Sequence, residues 1–295
     1  MKYTLTLIGN SATPLTDEII GIASGALPNS SDPDWLAQGI ACDVSFEAAD
    51  GSKIEAAIRN QLLGARIDLV VQPAEGRRKK LLVADMDSTI IEQECIDELA
   101  AELGLKEQIA DITERAMRGE IAFEPALLER VGLLKGLPLS ALEHVYNNRI
   151  TETPGGRMLT ATMRKHGATC ALVSGGFTFF TQRIADAVGF DFNRANTLIF
   201  VDEKLSGDVV RPILGRQAKI DALVELRAEL KLPHDATLAI GDGANDLGMI
   251  EEAGLGVAYH AKPVVAEAAD ARIDFGDLSA LLYLQGYKAH EIVKS

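Results

Sequence analysis

The sequence predicts an α/β protein: a parallel sheet with helices on both faces, a helical insert, and a small α+β domain ahead of them. Three observations predict this class. Short apolar runs recur at 81–84, 170–173 and 238–240, and each is followed by a segment that contains acidic residues or glycines. The span 92–165, between the first two runs, has mainly helical periodicity. The first 73 residues alternate strand and helix by themselves.

The first 75 residues predict a compact α+β domain. The expected elements are a strand at 3–8, a helix at 17–26, an extended segment at 39–47, a helix at 52–63 and a strand at 67–71. Prolines at 28 and 33 with polar residues between them predict a turn. By architecture alone, this domain resembles the small ACT-like regulatory domains that bind free amino acids. An oligomerisation or packing domain is equally compatible with the pattern.

Residues 76–295 predict the second domain. It begins with the basic stretch 77–80, which we interpret as a solvated linker, and continues into the strand 81–84. A helical insert is expected at about 92–165, with helices at 106–117, 122–133 and 140–145. Ile96, Leu99, Ala100 and Leu103 recur at i, i+3, i+4 and i+7, as on one face of an amphipathic helix.

From residue 169 onward, strands and helices alternate. The expected elements are strands at 171–173, 237–240 and 255–259, helices at 181–188, 220–230, 246–253 and 263–269, and a hairpin-like segment at 198–209. Because such alternation is typical of βαβ units, it predicts a Rossmann-like parallel sheet with helices on both faces.

The composition limits the classes of function. Of 295 residues, 47% are hydrophobic and 24% are charged, as in ordinary soluble globular proteins. The net charge of −14 argues against nucleic-acid binding, which needs clustered lysine and arginine. No apolar run approaches the ~20 residues of a membrane span, and residues 1–3 open a strand-like segment and not a signal peptide, so a cytoplasmic location is expected. The cysteines and histidines lack metal-type spacing, and we interpret them as buried small residues and surface residues.

The most informative motif follows the strand 81–84. Asp85 and Asp87 are two residues apart, so in extended geometry their side chains point the same way, beyond the carboxyl end of a strand, where α/β sheets bind ligands. Two carboxylates about 5 Å apart repel by roughly 3 kcal/mol at an effective dielectric near 20. A divalent cation or a shared proton would offset that repulsion. Taken alone, the motif is also compatible with a strand-end turn that caps the next helix.

Three further motifs follow in order. Ser174, Gly175 and Gly176 end the second apolar run, Lys219 lies at the start of a predicted helix, and the glycine-flanked acidic loop 241–246 ends the third run. This ordered set resembles the haloacid dehalogenase superfamily of phosphatases, whose fold has a helical cap inserted after the first acidic strand. The resemblance implies that the insert at about 92–165 is such a cap.

The resemblance also implies a covalent mechanism with magnesium as cofactor. Asp85 would attack phosphorus and form an aspartyl-phosphate, and Asp87 would protonate the leaving alkoxide and later act as base toward water. Asp242 would coordinate Mg²⁺ with Asp85 and the backbone carbonyl of Asp87, since magnesium prefers hard oxygen ligands. Asp246 would support that site.

An anion site is implied beside the aspartates. Ser174 and the amides of Gly175 and Gly176 would hold phosphate oxygens, in the manner of a backbone nest. Lys219 would neutralise the transferring phosphoryl group as a point charge.

The cap sequence narrows the resemblance to a group of the superfamily whose substrate is O-phosphoserine. Residues 116–119, 123 and 129–134 carry it, and the match extends over about 80–280. By position, Glu94 would receive the substrate ammonium and Arg130 its carboxylate, which arginine can bind with two parallel hydrogen bonds. Met117 and Phe123 would form an apolar lid, and Asn245 would contact the substrate. Hydrolysis of O-phosphoserine, the last step of serine biosynthesis, is the implied function.

Several alternatives remain open. The same site could act on another small phosphomonoester, or could pass the phosphoryl group from Asp85 to a second alcohol such as homoserine. A phosphorylation-switched receiver also has an acidic cluster and a lysine, but lacks the second aspartate of this motif and an insert of this length. The N-terminal domain could bind a free amino acid as effector, and a homodimer is compatible with these patterns.

Overall fold

The computed structural model describes residues 1–117 and 120–294. Its N-terminal domain has the order β1 (Lys2–Ile8), α1 (Asp17–Gly25), β2 (Asp34–Ala37), β3 (Ala41–Glu47), α2 (Gly51–Gln61) and β4 (Asp68–Pro73). The strands form an antiparallel sheet of order β2-β3-β1-β4. The βαββαβ order with this pairing is a ferredoxin-like arrangement. β2 was not predicted, because its residues, Asp-Trp-Leu-Ala, do not alternate and directly follow the predicted turn at 28–33.

Alternation along β1 gives this sheet two buried faces. Leu5 and Leu7 pack in an apolar cluster with residues of α1 and α2. Thr4 and Thr6, on the opposite face, are also buried. Because successive side chains of a strand point to opposite faces, burial of both sets means that the N-terminal sheet is covered on both sides.

The second domain begins with β5 (Leu81–Ala84) and an irregular helical turn (Met86–Ile90). The elements that follow are α3 (Cys95–Glu102), α4 (Lys106–Met117), α5 (Phe123–Leu133), α6 (Leu139–Arg149), α7 (Gly156–Lys165), β6 (Thr169–Phe177), α8 (Thr178–Val188), β7 (Phe192–Asn196), β8 (Leu198–Val201) and β9 (Lys204–Val209). The last elements are α9 (Arg216–Glu229), β10 (Thr237–Gly241), α10 (Leu247–Glu252), β11 (Gly256–Tyr259), α11 (Pro263–Ala268), β12 (Ala271–Ile273) and α12 (Ala280–Leu284).

Six of these strands form the central sheet, with the order β12-β11-β10-β5-β6-β7 and parallel pairing throughout. β5 is therefore central, and the chain continues first to one side and then to the other. Ligands of such sheets bind at the carboxyl ends of the strands, where the order reverses. The sheet confirms the predicted α/β class and places the end of β5 at that reversal.

The cap consists of α3 to α6. An isolated antiparallel bridge between Ile91 and Glu152 joins the segments that enter and leave it. The predicted insert at about 92–165 also includes α7, but α7 packs against β6 and α8. Leu159 and Met163 of α7 are fully buried, so its apolar face belongs to the layer that covers the sheet.

Buried polar contacts join the two domains. Both oxygens of the Asp68 carboxylate accept backbone N–H groups of 274–276, at 2.6 to 3.2 Å. Arg77 binds Asp43 at 2.6 Å, and Lys79 is 6% exposed and donates to main-chain carbonyls. The interpretation of 77–80 as a solvated linker is therefore wrong: Arg77 bridges the two domains, and Lys79 is buried against the second domain. No helix in the described residues is long and apolar enough to cross a membrane.

Candidate active site

Two carboxylates lie at the carboxyl end of β5. Asp85 directly follows the strand, and its N–H donates to the Ile240 carbonyl on β10 at 3.0 Å, so the sheet holds its backbone. In the turn Met86–Ile90, Asp87 is extended and Ser88 is left-handed, with φ of 55°. A left-handed serine is an uncommon and strained conformation. After this turn, Asp85, Asp87 and Ser88 all line one cavity.

A buried lysine contacts Asp85 from below. Lys219 is in the first turn of α9, its side chain is 2% exposed, and its Nζ is 2.6 Å from an oxygen of Asp85 and 2.6 Å from an oxygen of Asp246. Burial acts to lower the pKa of Lys219, but the two carboxylates outweigh burial and raise that pKa above its ordinary value. The ammonium group is therefore charged at neutral pH.

Three carboxylates converge at this point. Oxygens of Asp85, Asp242 and Asp246 lie within 4.8 Å of one another and could hold a metal ion. Burial, and then the charge of Asp246, raises the pKa of Asp242 to about 6 and that of Asp85 well above its usual range. The Thr89 hydroxyl donates to Asp242 at 3.4 Å, and the N–H of Lys262 donates to the Asp242 main-chain carbonyl at 3.1 Å. A divalent cation would offset the crowding of negative charge.

The Asp87 carboxylate has a donor on each oxygen. Oδ1 accepts the Cys95 N–H at 2.9 Å, and Oδ2 accepts the Ser174 hydroxyl at 3.3 Å. Burial, and then the charge of Glu94, raises the pKa of Asp87 to about 7. A general acid is most effective when its pKa is near the operating pH. Asp87 can therefore exchange a proton at neutral pH.

The predicted phosphate loop is the irregular end of β6. Pairing of β6 with β7 shifts between Val173 and Phe177, so Ser174, Gly175 and Gly176 lie in a bulged segment. The Gly176 N–H donates to Ser174 Oγ at 2.8 Å. Bulges at strand ends often turn backbone groups toward an active site.

Asn196, which the sequence did not single out, anchors that segment from behind. Its amide nitrogen donates to the Gly175 carbonyl at 2.9 Å and to the Leu214 carbonyl at 3.0 Å, and its oxygen accepts the Leu214 N–H at 2.7 Å. In a sequence, an asparagine that anchors a neighbouring segment looks the same as an asparagine that forms a turn at the end of a strand.

The cap contributes opposite charges to the same cavity. Glu94 precedes α3, and its carboxylate accepts the Ser88 hydroxyl at 2.8 Å. Arg130 of α5 donates from Nε to the Ala126 carbonyl and from Nη1 to Thr113 Oγ1, both at 3.2 Å. A carboxylate and a guanidinium group thus lie on the cap side of the cavity, above the aspartates.

The aromatic ring of Phe123, on α5 of the cap, packs against glycines of the core domain. A Cβ atom built on Gly215 would lie 3.0 Å from the Phe123 ring, and one on Gly175 would lie 3.4 Å from it. Gly215 therefore favours glycine, because a side chain there would push the ring away, whereas the distance at Gly175 is an ordinary van der Waals contact. The side chain of Met117, the other predicted lid residue, lies outside the described residues.

The cavity has a volume of about 670 Å³ and unites most of the predicted site. Its lining includes Asp85, Asp87, Glu94, Phe123, Arg130, Ser174, Gly175, Asp242 and Asn245. Lys219 and Asp246 are not in the lining and are buried beneath it. Ser88, Asp97, Thr113 and Lys262 also line it and were not predicted. They resemble ordinary polar residues of helices and loops, so only the folded chain distinguishes them.

Comparisons with known proteins agree with this geometry. Residues 82–251 match the haloacid dehalogenase-like hydrolase family. A phosphoserine phosphatase of Archaeoglobus fulgidus is 41% identical over 240 residues, which cover 81% of this chain and 70% of that protein. A phosphoserine phosphatase of Saccharomyces cerevisiae is 35% identical over 305 residues, covering 99% of this chain and 98% of that protein.

A solved structure extends the similarity to the whole fold. The haloacid dehalogenase family hydrolase t0658 of Salmonella enterica serovar Typhi superposes with a TM-score of 0.87 at 30% identity, over 96% of this chain and 98% of that one. The chain therefore belongs to the haloacid dehalogenase-like hydrolases, and within them to the phosphoserine phosphatases.

Proposed function

We propose that this protein hydrolyses O-phosphoserine to serine and phosphate, through an aspartyl-phosphate and with Mg²⁺ as cofactor. One observation carries the proposal: a single cavity has Asp85 and Asp87 on the core side and Glu94 and Arg130 on the cap side. A phosphorylated amino acid has a phosphate at one end and an ammonium and a carboxylate at the other. The cavity matches that distribution of charge.

At the phosphate end, Asp85 attacks phosphorus, and the bond from phosphorus to the serine oxygen breaks. Asp87 donates its proton to that oxygen, and then accepts a proton from the water that releases phosphate from Asp85. The pKa of about 7 at Asp87 supports both transfers near neutral pH. Phosphoryl transfer depends mainly on positioning and charge neutralisation, which the buried Lys219 supplies from below.

The acidic cluster supports a role for magnesium. Asp85, Asp242 and the main-chain carbonyl of Asp87 would hold the ion, which would neutralise charge on the phosphate oxygens. Asp246 would support the site through its contact with Lys219. Ser174 and the amides of the bulged segment would bind the remaining oxygens.

At the amino-acid end, Glu94 binds the ammonium group and Arg130 the carboxylate. Phe123 covers this end, and Met117, whose side chain lies outside the described residues, stays a predicted lid residue. Asn245, in the loop after β10, contacts the substrate from the core side. A substrate that lacks the ammonium or the carboxylate would leave Glu94 or Arg130 in the cavity without a partner for its charge, which selects against such substrates.

The N-terminal domain is proposed to bind a free amino acid. Its ferredoxin-like topology supports this role. The enzyme would act in the cytoplasm and catalyse the last step of serine biosynthesis. An amino acid bound to the N-terminal domain would control its activity. Inhibition of phosphate release by serine that is lost when the N-terminal domain, residues 1–75, is altered would support that control.

A panel of small phosphomonoesters tests the function. We expect phosphate release to be fastest on O-phosphoserine, to cease when Mg²⁺ is removed with a chelator, and to return when Mg²⁺ is restored. Adding homoserine as acceptor distinguishes hydrolysis from transfer, because transfer would yield phosphohomoserine in place of free phosphate. Faster hydrolysis of a phosphorylated sugar than of O-phosphoserine would contradict the substrate assignment.

A further inference from the structure

The guanidinium group of Arg130 is held by two different kinds of contact. Its Nε donates to the Ala126 carbonyl, one turn earlier in the same helix, and its Nη1 donates to Thr113 Oγ1 on α4, both at 3.2 Å. A guanidinium group has five N–H donors, so two are occupied and three remain for a ligand. The bond to Thr113 is the one that crosses between helices.

Thr113 is set to accept that bond. Its hydroxyl donates to the Ile109 carbonyl of α4 at 3.0 Å, so its proton is engaged and a lone pair is available to Arg130. The hydroxyl therefore links the guanidinium group to the backbone of α4. Both Thr113 and Arg130 line the cavity, so this link is at the surface that a substrate would touch.

A neutral partner suits a residue that must bind an anion. Burial lowers the pKa of Arg130 below its ordinary value, and the charges of Asp97 and Glu94 oppose that shift. Among the described residues, however, no carboxylate lies within ion-pair distance of Arg130. A carboxylate at that distance would compete with the carboxylate of a substrate. The Thr113 hydroxyl orients the guanidinium group and leaves its charge available. A free arginine side chain loses rotamer entropy when it binds a ligand, and preorganisation reduces that loss.

We propose that Thr113 is a specificity-determining residue that positions Arg130 for the carboxylate of the substrate. The inference rests on the proposed function, because it takes Arg130 as the carboxylate-binding group. Its consequence is selective: the hydroxyl matters for substrates with a carboxylate next to the amino group and is unimportant for substrates without one.

The test compares the kinetics of two substitutions of Thr113 on two substrates. Thr113→Val keeps the shape and removes the hydroxyl, whereas Thr113→Ser keeps the hydroxyl. We expect Thr113→Val to raise KM for O-phosphoserine about tenfold with little change in kcat, the size expected for one hydrogen bond to a charged group. Hydrolysis of phosphoethanolamine, which lacks the carboxylate, should be little changed, and Thr113→Ser should restore the KM for O-phosphoserine.

Two controls separate positioning from folding. Thr197→Val removes a hydroxyl that interacts with Thr178 at 3.3 Å outside the cavity, and should leave the kinetics of both substrates as in the wild type. In the Arg130→Ala background, Thr113→Val should have no further effect on O-phosphoserine, because the group that it positions is gone.

Three results would overturn the proposal. Equal losses on the two substrates would mean that Thr113 acts through the fold of the cap. An unchanged KM for O-phosphoserine in Thr113→Val, or an equal effect with and without Arg130, would mean that the hydroxyl does not position this arginine. A wild-type protein that does not prefer O-phosphoserine to phosphoethanolamine would instead overturn the proposed function, and the role of Thr113 with it.

Discussion

Replacing Lys219 with methionine should destabilise the protein strongly in the absence of metal. Methionine has a similar length and fills the space, but lacks the charge. In the wild type, the ammonium group is 2.6 Å from Asp85 and 2.6 Å from Asp246, and Asp242 completes the cluster of carboxylates within 4.8 Å. Lys219→Met leaves these three acids without their buried counter-charge.

The size of the effect follows from these distances. At 2.6 Å and an effective dielectric near 20, each contact has a Coulomb energy of about 6 kcal/mol before the cost of burying the charges. Desolvation removes much of this, and breaking a buried pair by deleting one partner usually costs about 3–5 kcal/mol. We expect a loss of that size in the free energy of unfolding, a large share of the roughly 5–15 kcal/mol of a typical domain.

Urea unfolding at neutral pH, with a chelator present, measures this loss. Lys165→Met, which removes an exposed lysine from α7, is the matched control and should change the free energy of unfolding by less than about 0.5 kcal/mol. Adding Mg²⁺ should raise the free energy of unfolding of Lys219→Met, since an ion bound only to the folded state stabilises it by about 2.7 kcal/mol at 100 times its Kd.

The pH dependence has a defined sign. Removing the ammonium group raises the folded-state pKa of Asp85 further above its unfolded value, because a favourable charge is lost. The folded variant then binds protons more readily than the unfolded chain, so its stability increases as the pH falls through that raised pKa. The deficit should therefore be greatest at high pH. If the free energy of unfolding of Lys219→Met equals that of Lys165→Met at neutral and at high pH, Lys219 is not the counter-charge that stabilises the three acids.

Three further predictions concern turnover. Asp85→Asn should reduce phosphate release by several orders of magnitude in a folded protein, and near-normal turnover would rule out covalent catalysis at this residue. Asp87→Asn should slow the burst phase on O-phosphoserine far more than on an aryl phosphate, whose phenoxide leaves without a proton; equal losses would exclude Asp87 as the leaving-group acid. Arg130→Ala should lower kcat/KM on O-phosphoserine by about one to two decades and leave kcat/KM on phosphoethanolamine nearly unchanged. In the same way, Glu94→Gln should leave kcat/KM nearly unchanged on a phosphorylated hydroxy acid without an ammonium group. If Arg130→Ala weakens both substrates alike, Arg130 contacts phosphate or closes the cap.

The elements predicted best are those with a local signal. The strands before Asp85 and Asp242 were predictable because each is a short apolar run that ends in an acidic residue. β2 was not predicted, because its residues do not alternate and directly follow the turn at 28–33, and α12 was not predicted, because five residues are too few for a helical period. α7 was assigned to the insert, since its amphipathic pattern does not say which surface its buried face covers.

The sequence by itself determined the chemistry of the site. An acidic pair, a serine with glycines, a lysine and a second acidic loop each lie at the end of a strand or the start of a helix. This ordered set resembles that of the haloacid dehalogenase superfamily, and the resemblance implies phosphoryl transfer. Parallel strands bring those ends to one edge of the sheet, so their meeting was also predictable.

Only the tertiary structure decided how these groups are arranged and supported. The left-handed Ser88, the burial of Lys219 beneath the cavity, the bond from Thr113 to Arg130 and the burial of Lys79 all involve groups whose partners are distant in sequence or whose conformation is strained. Polar residues of helices and loops look alike in a sequence, because either water or another residue can satisfy their hydrogen bonds. Whether water or another residue does so depends on the packing of elements that are far apart along the chain.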